Sequence, residues 1–530
     1  MSDRATFTGS SQPVELPTYQ PIAEQPKGFD LFRIPGLRRF VRWKYARLVF
    51  QLPLLILALF VIIDGFTGRQ LAPRNVATTA VWLHYRGLVV LALALVGNAF
   101  CAACPLMLTR GATRRLERVV PKLEFPRFLK NKYLVLVLTF IYLFSYEYFD
   151  LWASPWLTAW LAIGYFGAAL VVDTLFKAGT FCRYVCPLGN FNFAFSSASP
   201  TQITAVDHDV CRSCEHKPCL QGRYTGIENR KSKIENKSSS SYPIQTNGNK
   251  PAAFIPLSDI TNTNGSGFFP GCETELFVPA MQSNMDCTNC FNCVRACPYD
   301  NVAFTYHAPG WQWTKDPWAR RGRFALALFG VLLTFWGLLN AVAMTSPFFG
   351  VAQALAATFG ENEFVFLMTF FGATTIFGLA VTAGVSYLAD LLGQGHAEFK
   401  ASFLRWSYVS VALGFGFWGA HYLFHFLTGT LQIIPVFQHF FAFRDFPVDP
   451  NWRLSQVVPS RWLFPIEAIF TGIYTFLAIY AAIRISLRDF GKRGVLAMWP
   501  VLLFVLAFAV FSLWVLGQPM EMRGTVFFAP

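Results

Sequence analysis

Twelve cysteines in a chain of 530 residues are the side chains whose type and spacing could do chemistry. The tightest group is Cys287-x2-Cys290-x2-Cys293-x3-Cys297-Pro298. Three thiolates at this spacing can grip one 4Fe–4S cluster from a single tight loop, while the fourth, followed by Pro, reaches a second cluster. Zinc also takes four thiolates, but not usually as one four-cysteine run ending in Pro. A second run, Cys211-x2-Cys214-x4-Cys219, offers three ligands with no fourth close behind; the next cysteine is Cys272. The economical assignment is therefore crosswise. Cys211, Cys214, Cys219 and Cys297 hold cluster one; Cys272, Cys287, Cys290 and Cys293 hold cluster two. His208 and His216, beside the first run, read as exposed loop residues.

The remaining four form two pairs, Cys101-Ala-Ala-Cys104-Pro105 and Cys182-Arg-Tyr-Val-Cys186-Pro187. A proline disfavours helix at the residue before it, so each pair marks a helix exit. Where the turn is helical, these spacings put each pair on one face. Four such thiols suit a third cluster, another metal or redox-active disulfides, or they are inert buried cysteines. Disulfides as mere staples do not suit a reducing cytosol.

The elements that must carry these residues follow from composition. The chain is 54% hydrophobic and 17% aromatic, with only 14% charged residues and a mean hydropathy of +0.39. Soluble domains average about 25% charged residues, so a disordered chain and an ordinary cytosolic enzyme are excluded. Nine apolar runs approach the ~20 residues needed to cross a bilayer: 47–66, 87–108, 133–150, 156–176, 324–345, 363–391, 406–427, 463–484 and 495–517. The first lacks a small-residue cleavage site, so it reads as a span and not a signal. Of the 44 Lys and Arg, 37 fall on one side of this arrangement. The net charge of +14 is thus mostly positive-inside bias, with the N-terminus cytoplasmic, the C-terminus periplasmic, and no nucleic-acid partner required.

The expected fold is mainly α: a polytopic helical membrane protein of about nine spans with an inserted cytoplasmic two-cluster ferredoxin-like α+β domain. Residues 1–46 form a basic cytoplasmic tail that meets lipid head groups. Residues 47–199 form a four-helix membrane half with both thiol pairs, and 200–320 the ferredoxin-like domain, with a Lys/Ser/Asn-rich insertion at 221–268. Residues 321–530 form a five-helix second half.

Paired Cys…Cys-Pro motifs on spans, followed by a double-cluster segment, resemble the NapH/NosR/CcoG membrane iron–sulfur proteins over residues 45–310. Cys182-Arg-Tyr-Val-Cys186-Pro-Leu-Gly189 and the Cys287–Pro298 run carry the resemblance. It implies electron transfer between quinols, cytosolic donors and periplasmic reductases, or reduction of a metal during oxidase assembly. The first pair departs from the family's usual three-residue spacing, and the five extra spans make the layout similar to FesM-type proteins, where the implied role is cyclic electron flow.

In the second half, Phe417-Trp-Gly-Ala-His421-Tyr-Leu-Phe-His425 puts two histidines one turn apart on one face, and Glu467 lies just inside the next span. His421, His425 and Glu467 could bind a quinone head group and its protons. Histidines on two helices would suit a b-type haem, but a pair four apart on one helix does not suit the two faces of one haem. The plain alternative is interfacial histidines among Phe and Trp. Asp173 and Asp390 read as interfacial. The function expected is relay of electrons from a cytoplasmic ferredoxin or reductase through two 4Fe–4S clusters to the quinone pool or a membrane redox complex of the bacterial inner membrane. The alternatives are a thiol or iron–sulfur metal reductase serving assembly of a respiratory metalloenzyme, and a redox-gated permease.

Overall fold

The computed structural model describes residues 28–116, 119–214, 216–224, 268–314, 324–359 and 362–520. Most of the 221–268 insertion, the start of the basic tail and Trp318 lie outside the described residues. The rest is mainly helical. In chain order the helices that matter are α1 (Ala46–Thr67), α2 (Val76–Val96), α3 (Tyr133–Tyr148), α4 (Pro155–Leu175), α5 (Pro187–Phe195), α6 (Phe324–Val342), α7 (Ser346–Phe359), α8 (Glu363–Gln394), α9 (Phe399–Thr428), α10 (Ile433–Ala442), α11 (Leu463–Phe490) and α12 (Gly494–Leu516).

Six stretches among the described residues are long and apolar enough to cross a membrane: α1, α2, α4, α6, α8 and the α11–α12 hairpin within Ser460–Leu516. This is the architecture of a helical membrane protein. Helix α3 has only 16 residues. Helix α9 has 30, of which 20 are buried. Its Ser, Gly and His content suits the centre of a bundle better than a lipid-facing surface. Trp418 Nε1 on α9 donates to Leu333 O at 2.7 Å, and Thr334 Oγ1 donates to Ser410 O at 2.8 Å, so α6 and α9 are joined by hydrogen bonds as well as packing.

The second expected span is shifted. It was expected over 87–108, but α2 starts at Val76 and ends at Val96. Gly97 takes a left-handed φ of +75°, and a Cβ there would meet the amides of Asn284 and Asn289 at 3.1 and 3.0 Å. The helix stops because the chain must turn against a neighbouring loop, which glycine alone permits without strain. Helix α2 also contains a π-helical stretch, Thr79–His84, which rotates the residues after it relative to an α-helical register.

A small antiparallel sheet positions the cysteine runs. Its order is β1 (Phe29–Asp30), β5 (Val302–Tyr306), β2 (Thr201–Ala205). A second pair joins β3 (Arg223–Tyr224) to β4 (Phe268–Phe269). Strand β2 leads into the Cys211 run and β5 leaves the Cys297 run. Their register, Ala205 opposite Val302 and Thr201 opposite Tyr306, brings the two runs together from about ninety residues apart in the chain. Small strands and short helices around the runs give this segment its mixed character.

Candidate metal centres: three groups of four cysteines

The Cys211 and Cys297 runs are tied by Asn301. Its amide donates to Asp207 O at 2.6 Å and to Cys211 Sγ at 3.1 Å. Its own N–H donates to Cys297 Sγ at 3.4 Å. Cys211, Cys214, Cys219 and Cys297 line one narrow cleft with Pro218, Phe277, Val278 and Pro298. Cys219 is within electrostatic reach of the other three. The backbone continues from this group to the next, because Cys272 N–H donates to Cys219 O at 2.9 Å. Cys272 then faces Cys287, Cys290 and Cys293, with Leu276 N–H on Cys272 Sγ at 3.2 Å and Asn289 N–H on Cys287 Sγ at 3.4 Å. The structure therefore places Cys211, Cys214, Cys219 and Cys297 on one cleft and Cys272 near Cys287, Cys290 and Cys293, with Cys293 also in reach of Cys219.

Among the described residues, six of the eight non-glycine residues with positive φ lie in these loops: Lys217, Glu275, Asp286, Asn289, Phe291 and Asp300. Left-handed backbone costs roughly 1–2 kcal/mol per residue, and it concentrates where the chain must curl tightly to aim thiols and N–H groups inward. Burial and neighbouring thiols push Cys211 and Cys219 up to about 12, and burial pushes Cys290 up to about 11. In the absence of a bound cation these thiols hold their protons, which a metal centre must displace on binding. Among the described residues no three His, Cys, Asp or Glu are placed to hold a single metal ion. Thiol-only donor sets, N–H groups aimed at sulfur and apolar walls are the environment a polynuclear iron–sulfur centre requires, so the residues fit that group.

The third group lies at the membrane half. Neither pair sits on a continuous α-helix, contrary to the face-sharing expectation. Cys101 ends a short helical turn, Ala99–Ala102, and Cys182 lies in a π-helical turn, Phe181–Val185. Cys104 and Cys186 are both extended, with ψ of 124° and 111°, as a residue before Pro should be. The expected helix exit is there in both. Cys186 caps α5, accepting from Gly189 N–H at 3.2 Å; Leu106 N–H points in the same way at Cys104. Cys186 is within electrostatic reach of Cys101 and Cys104, and Cys182 of Cys104 and Cys186. All four line one cavity of about 270 Å³. Thr288, between Cys287 and Cys290, lines it too, so the second cysteine group and the membrane group share a wall.

A buried brace joins the two. Arg47 and Arg110 converge on Glu273 at 2.7 and 3.0 Å, and Arg110 also reaches Asp173 at 3.1 Å. These guanidinium groups overcome burial and hold the Glu273 carboxyl down to about 2. Lys132 pairs with Asp286 at 2.7 Å, while Asn98 donates to Cys287 O at 3.1 Å and Asn289 to Val96 O at 2.8 Å. Asp173 was expected to be interfacial. It is buried, and it accepts from Gly179 and Phe181 N–H, fixing the turn that presents Cys182. Asp390, expected the same way, is fully buried and pairs with Arg405, Ser402 and Trp406. No family model, curated protein or solved structure matches the chain, so the reading rests on these contacts.

His421 and His425 are buried, with Nε2 atoms 3.3 Å apart; they are not interfacial. The charged group acting on both rings is Arg86, whereas Glu467 is buried with Oε1 lacking a hydrogen-bond partner. The structure adds Arg86 to the two histidines named from sequence. Arg86 was missed because the apolar run appeared to start at 87, which put it at a membrane boundary. With α2 shifted it lies mid-helix. Glu273 was missed for a different reason: its two arginines come from segments at 47 and 110, and only packing brings them to the residue after Cys272.

Proposed function

We propose that the chain is a membrane-bound iron–sulfur electron-transfer protein, relaying electrons between a cytoplasmic donor and the quinone pool or a membrane redox partner. What supports this is the convergence of Cys211, Cys214, Cys219 and Cys297 on one cleft, beside Cys272, Cys287, Cys290 and Cys293, with Thr288 of that second run on the wall of the cavity that four further thiols line. Two 4Fe–4S clusters, when bound, supply one-electron centres whose potential depends on hydrogen bonds and burial. Cys211, Cys214, Cys219 and Cys297 would hold the first; Cys272, Cys287, Cys290 and Cys293 the second. The chain's own work is positioning. Cys211, Cys214, Cys219 and Cys297 are partly exposed while Cys287, Cys290 and Cys293 are buried, which makes the first set the face for a soluble ferredoxin or reductase. The Arg47–Glu273–Arg110 brace and the Thr288 wall hold the second set against the membrane thiols and exclude water there.

In this reading α1, α2, α3, α4, α6, α8, α9, α11 and α12 are nine spans, the N-terminus and the cysteine domain are cytoplasmic, and the membrane is a bacterial inner membrane. Resemblance to NapH/NosR/CcoG proteins agrees with it. Anaerobic purification with iron and sulfide counting tests it: about eight irons support two clusters and about twelve add one at the membrane thiols. Low-temperature EPR of the reduced protein should show interacting clusters. A protein that takes up no iron and sulfide overturns the proposal. A second reading, a metal reductase or assembly factor, is favoured by one contact: the Cys182 thiol lies 3.7 Å from Met107 Sδ, a soft thiol–thioether set suited to Cu(I). Competition with a Cu(I) chelator distinguishes it.

A further inference from the structure

The cavity that the four membrane thiols line is built by both membrane halves. Leu57, Arg86 and Tyr142 face it from the first half; Leu333, Asn340 and Tyr422 face it from the second. At about 270 Å³ it lies just under the ~300–1,000 Å³ of sites for drug-sized ligands, and like them it is apolar with a few convergent polar groups at an interface. It has room for one substituted ring.

The polar groups are specific in kind. Arg86 is buried, 6% exposed, and its guanidinium carbon lies 4.7, 4.9 and 5.1 Å from the ring centres of Tyr146, Tyr422 and Trp82. Aromatic faces offset part of the cost of burying a cation, and the Tyr146 hydroxyl is a hydrogen-bond partner, but neither is a carboxylate that would neutralise the charge. The π-helical turn at Thr79–His84 ends two residues before Arg86 and sets the direction in which it leaves the helix. Asn340 Oδ1 and Asn192 Oδ1 are buried without a hydrogen-bond partner, and both residues line the cavity. Arg86 thus brings a buried positive charge and N–H donors to the cavity wall, and Asn340 and Asn192, bonded through their amide nitrogens to Glu147 and Cys101, bring oxygens that have no partner of their own.

We infer that this cavity binds the head group of an isoprenoid quinone, with Arg86 donating to a carbonyl oxygen and Asn192 or Asn340 accepting from a hydroxyl when the ring is reduced. A quinone ring is flat, mostly apolar and changes from acceptor to donor on reduction, which matches both kinds of group. It would lie against Cys101, Cys104, Cys182, Cys186 and Thr288, all on the cavity wall. The inference deepens the electron-transfer reading and rests on it for its purpose, but the binding itself does not require loaded clusters. It also moves the quinone site from the His421, His425 and Glu467 trio to the joint between the halves. The second half then has a job, because without Leu333, Asn340, Trp418 and Tyr422 the cavity has one wall missing.

The test is binding to the full-length protein in nanodiscs, with a decyl-substituted benzoquinone as probe and quenching of tryptophan fluorescence as readout; Trp82 and Trp418 line the cavity. Saturable quenching is expected, weakened about thirtyfold by Arg86→Met and lost in Ala162→Phe, which fills the cavity from α4. Ala162→Phe guards against misfolding of the Arg86 variant, and iron content measured on each sample shows whether the cysteine domain is intact. His421→Gln and Glu467→Gln should bind within about threefold of the parent. Decylbenzene, which lacks carbonyls, should bind at least tenfold more weakly. Unchanged binding in Ala162→Phe, loss of binding confined to the His421 or Glu467 variants, or equal affinity for decylbenzene would each overturn the inference. Absence of clusters with quinone binding retained would instead count against the electron-transfer reading alone.

Discussion

The cysteine groups of the β2–β5 domain and the group at the membrane half are made from the same parts. Both place thiols before or beside a proline, and both aim backbone N–H groups at sulfur. They differ in what lies on the far side of the sulfur atoms. Cys211, Cys214, Cys219 and Cys297 open only onto a narrow cleft, whereas Cys101, Cys104, Cys182 and Cys186 open onto about 270 Å³ of apolar space shared with Arg86. The first leaves little free space beside its sulfur atoms; the second faces room for something else. The comparison teaches that ligand type alone does not assign a role. Access does.

Breaking the comparison at its strongest point means removing one thiol on each side. Cys290→Ser should cost about four of about eight irons and leave a domain that aggregates, whereas Cys182→Ala should retain about eight and its reduced EPR spectrum. Equal iron loss in the two variants would erase the distinction. Next in size is the brace between the regions. Glu273→Gln leaves Arg47 buried without its anion and Arg110 with Asp173 alone, an expected loss of about 3–5 kcal/mol, read as a lower denaturant midpoint for the cysteine domain; Glu275→Gln, at an exposed pair with Lys177, should cost no more than about 1 kcal/mol.

The same carboxylate gives a pH prediction. Glu273 is held down from 4.5 to about 2, so its stabilising contribution is fully present above pH ~4.5 and is lost as pH falls through about 2. A 2.5-unit depression corresponds to about 3 kcal/mol. The midpoint difference between parent and Glu273→Gln should therefore shrink from pH 5 towards pH 2.5, and a constant difference would contradict the assignment. The smallest effect is electronic. Asn301→Ala removes the amide that donates to Cys211 Sγ, and a hydrogen bond worth about 1 kcal/mol to the more electron-rich reduced state corresponds to about 40 mV for one electron. The midpoint of one cluster should fall by about that much in a redox titration. Asn192→Ala, beside Cys101, should leave both cluster midpoints unchanged; a shift there would draw the membrane thiols into the carrier chain.

The sequence by itself determined what is local or covalent. The grouping of Cys287, Cys290 and Cys293 follows from spacings that one loop must obey, and the exits at Cys104 and Cys186 follow from the prolines after them. The helical membrane character followed from apolar run length, because a bilayer demands it of any chain. The tertiary structure decided what depends on which distant segments pack together. It shifted α2, made Arg86 a mid-helix residue beside the two histidines, and set Glu273 between two arginines. It also placed Phe329, Phe335, Phe415 and Phe417 in the interior. No spacing rule reaches across two hundred residues, since the free energy that chooses those contacts comes from burial and pairing that exist only once the helices have packed.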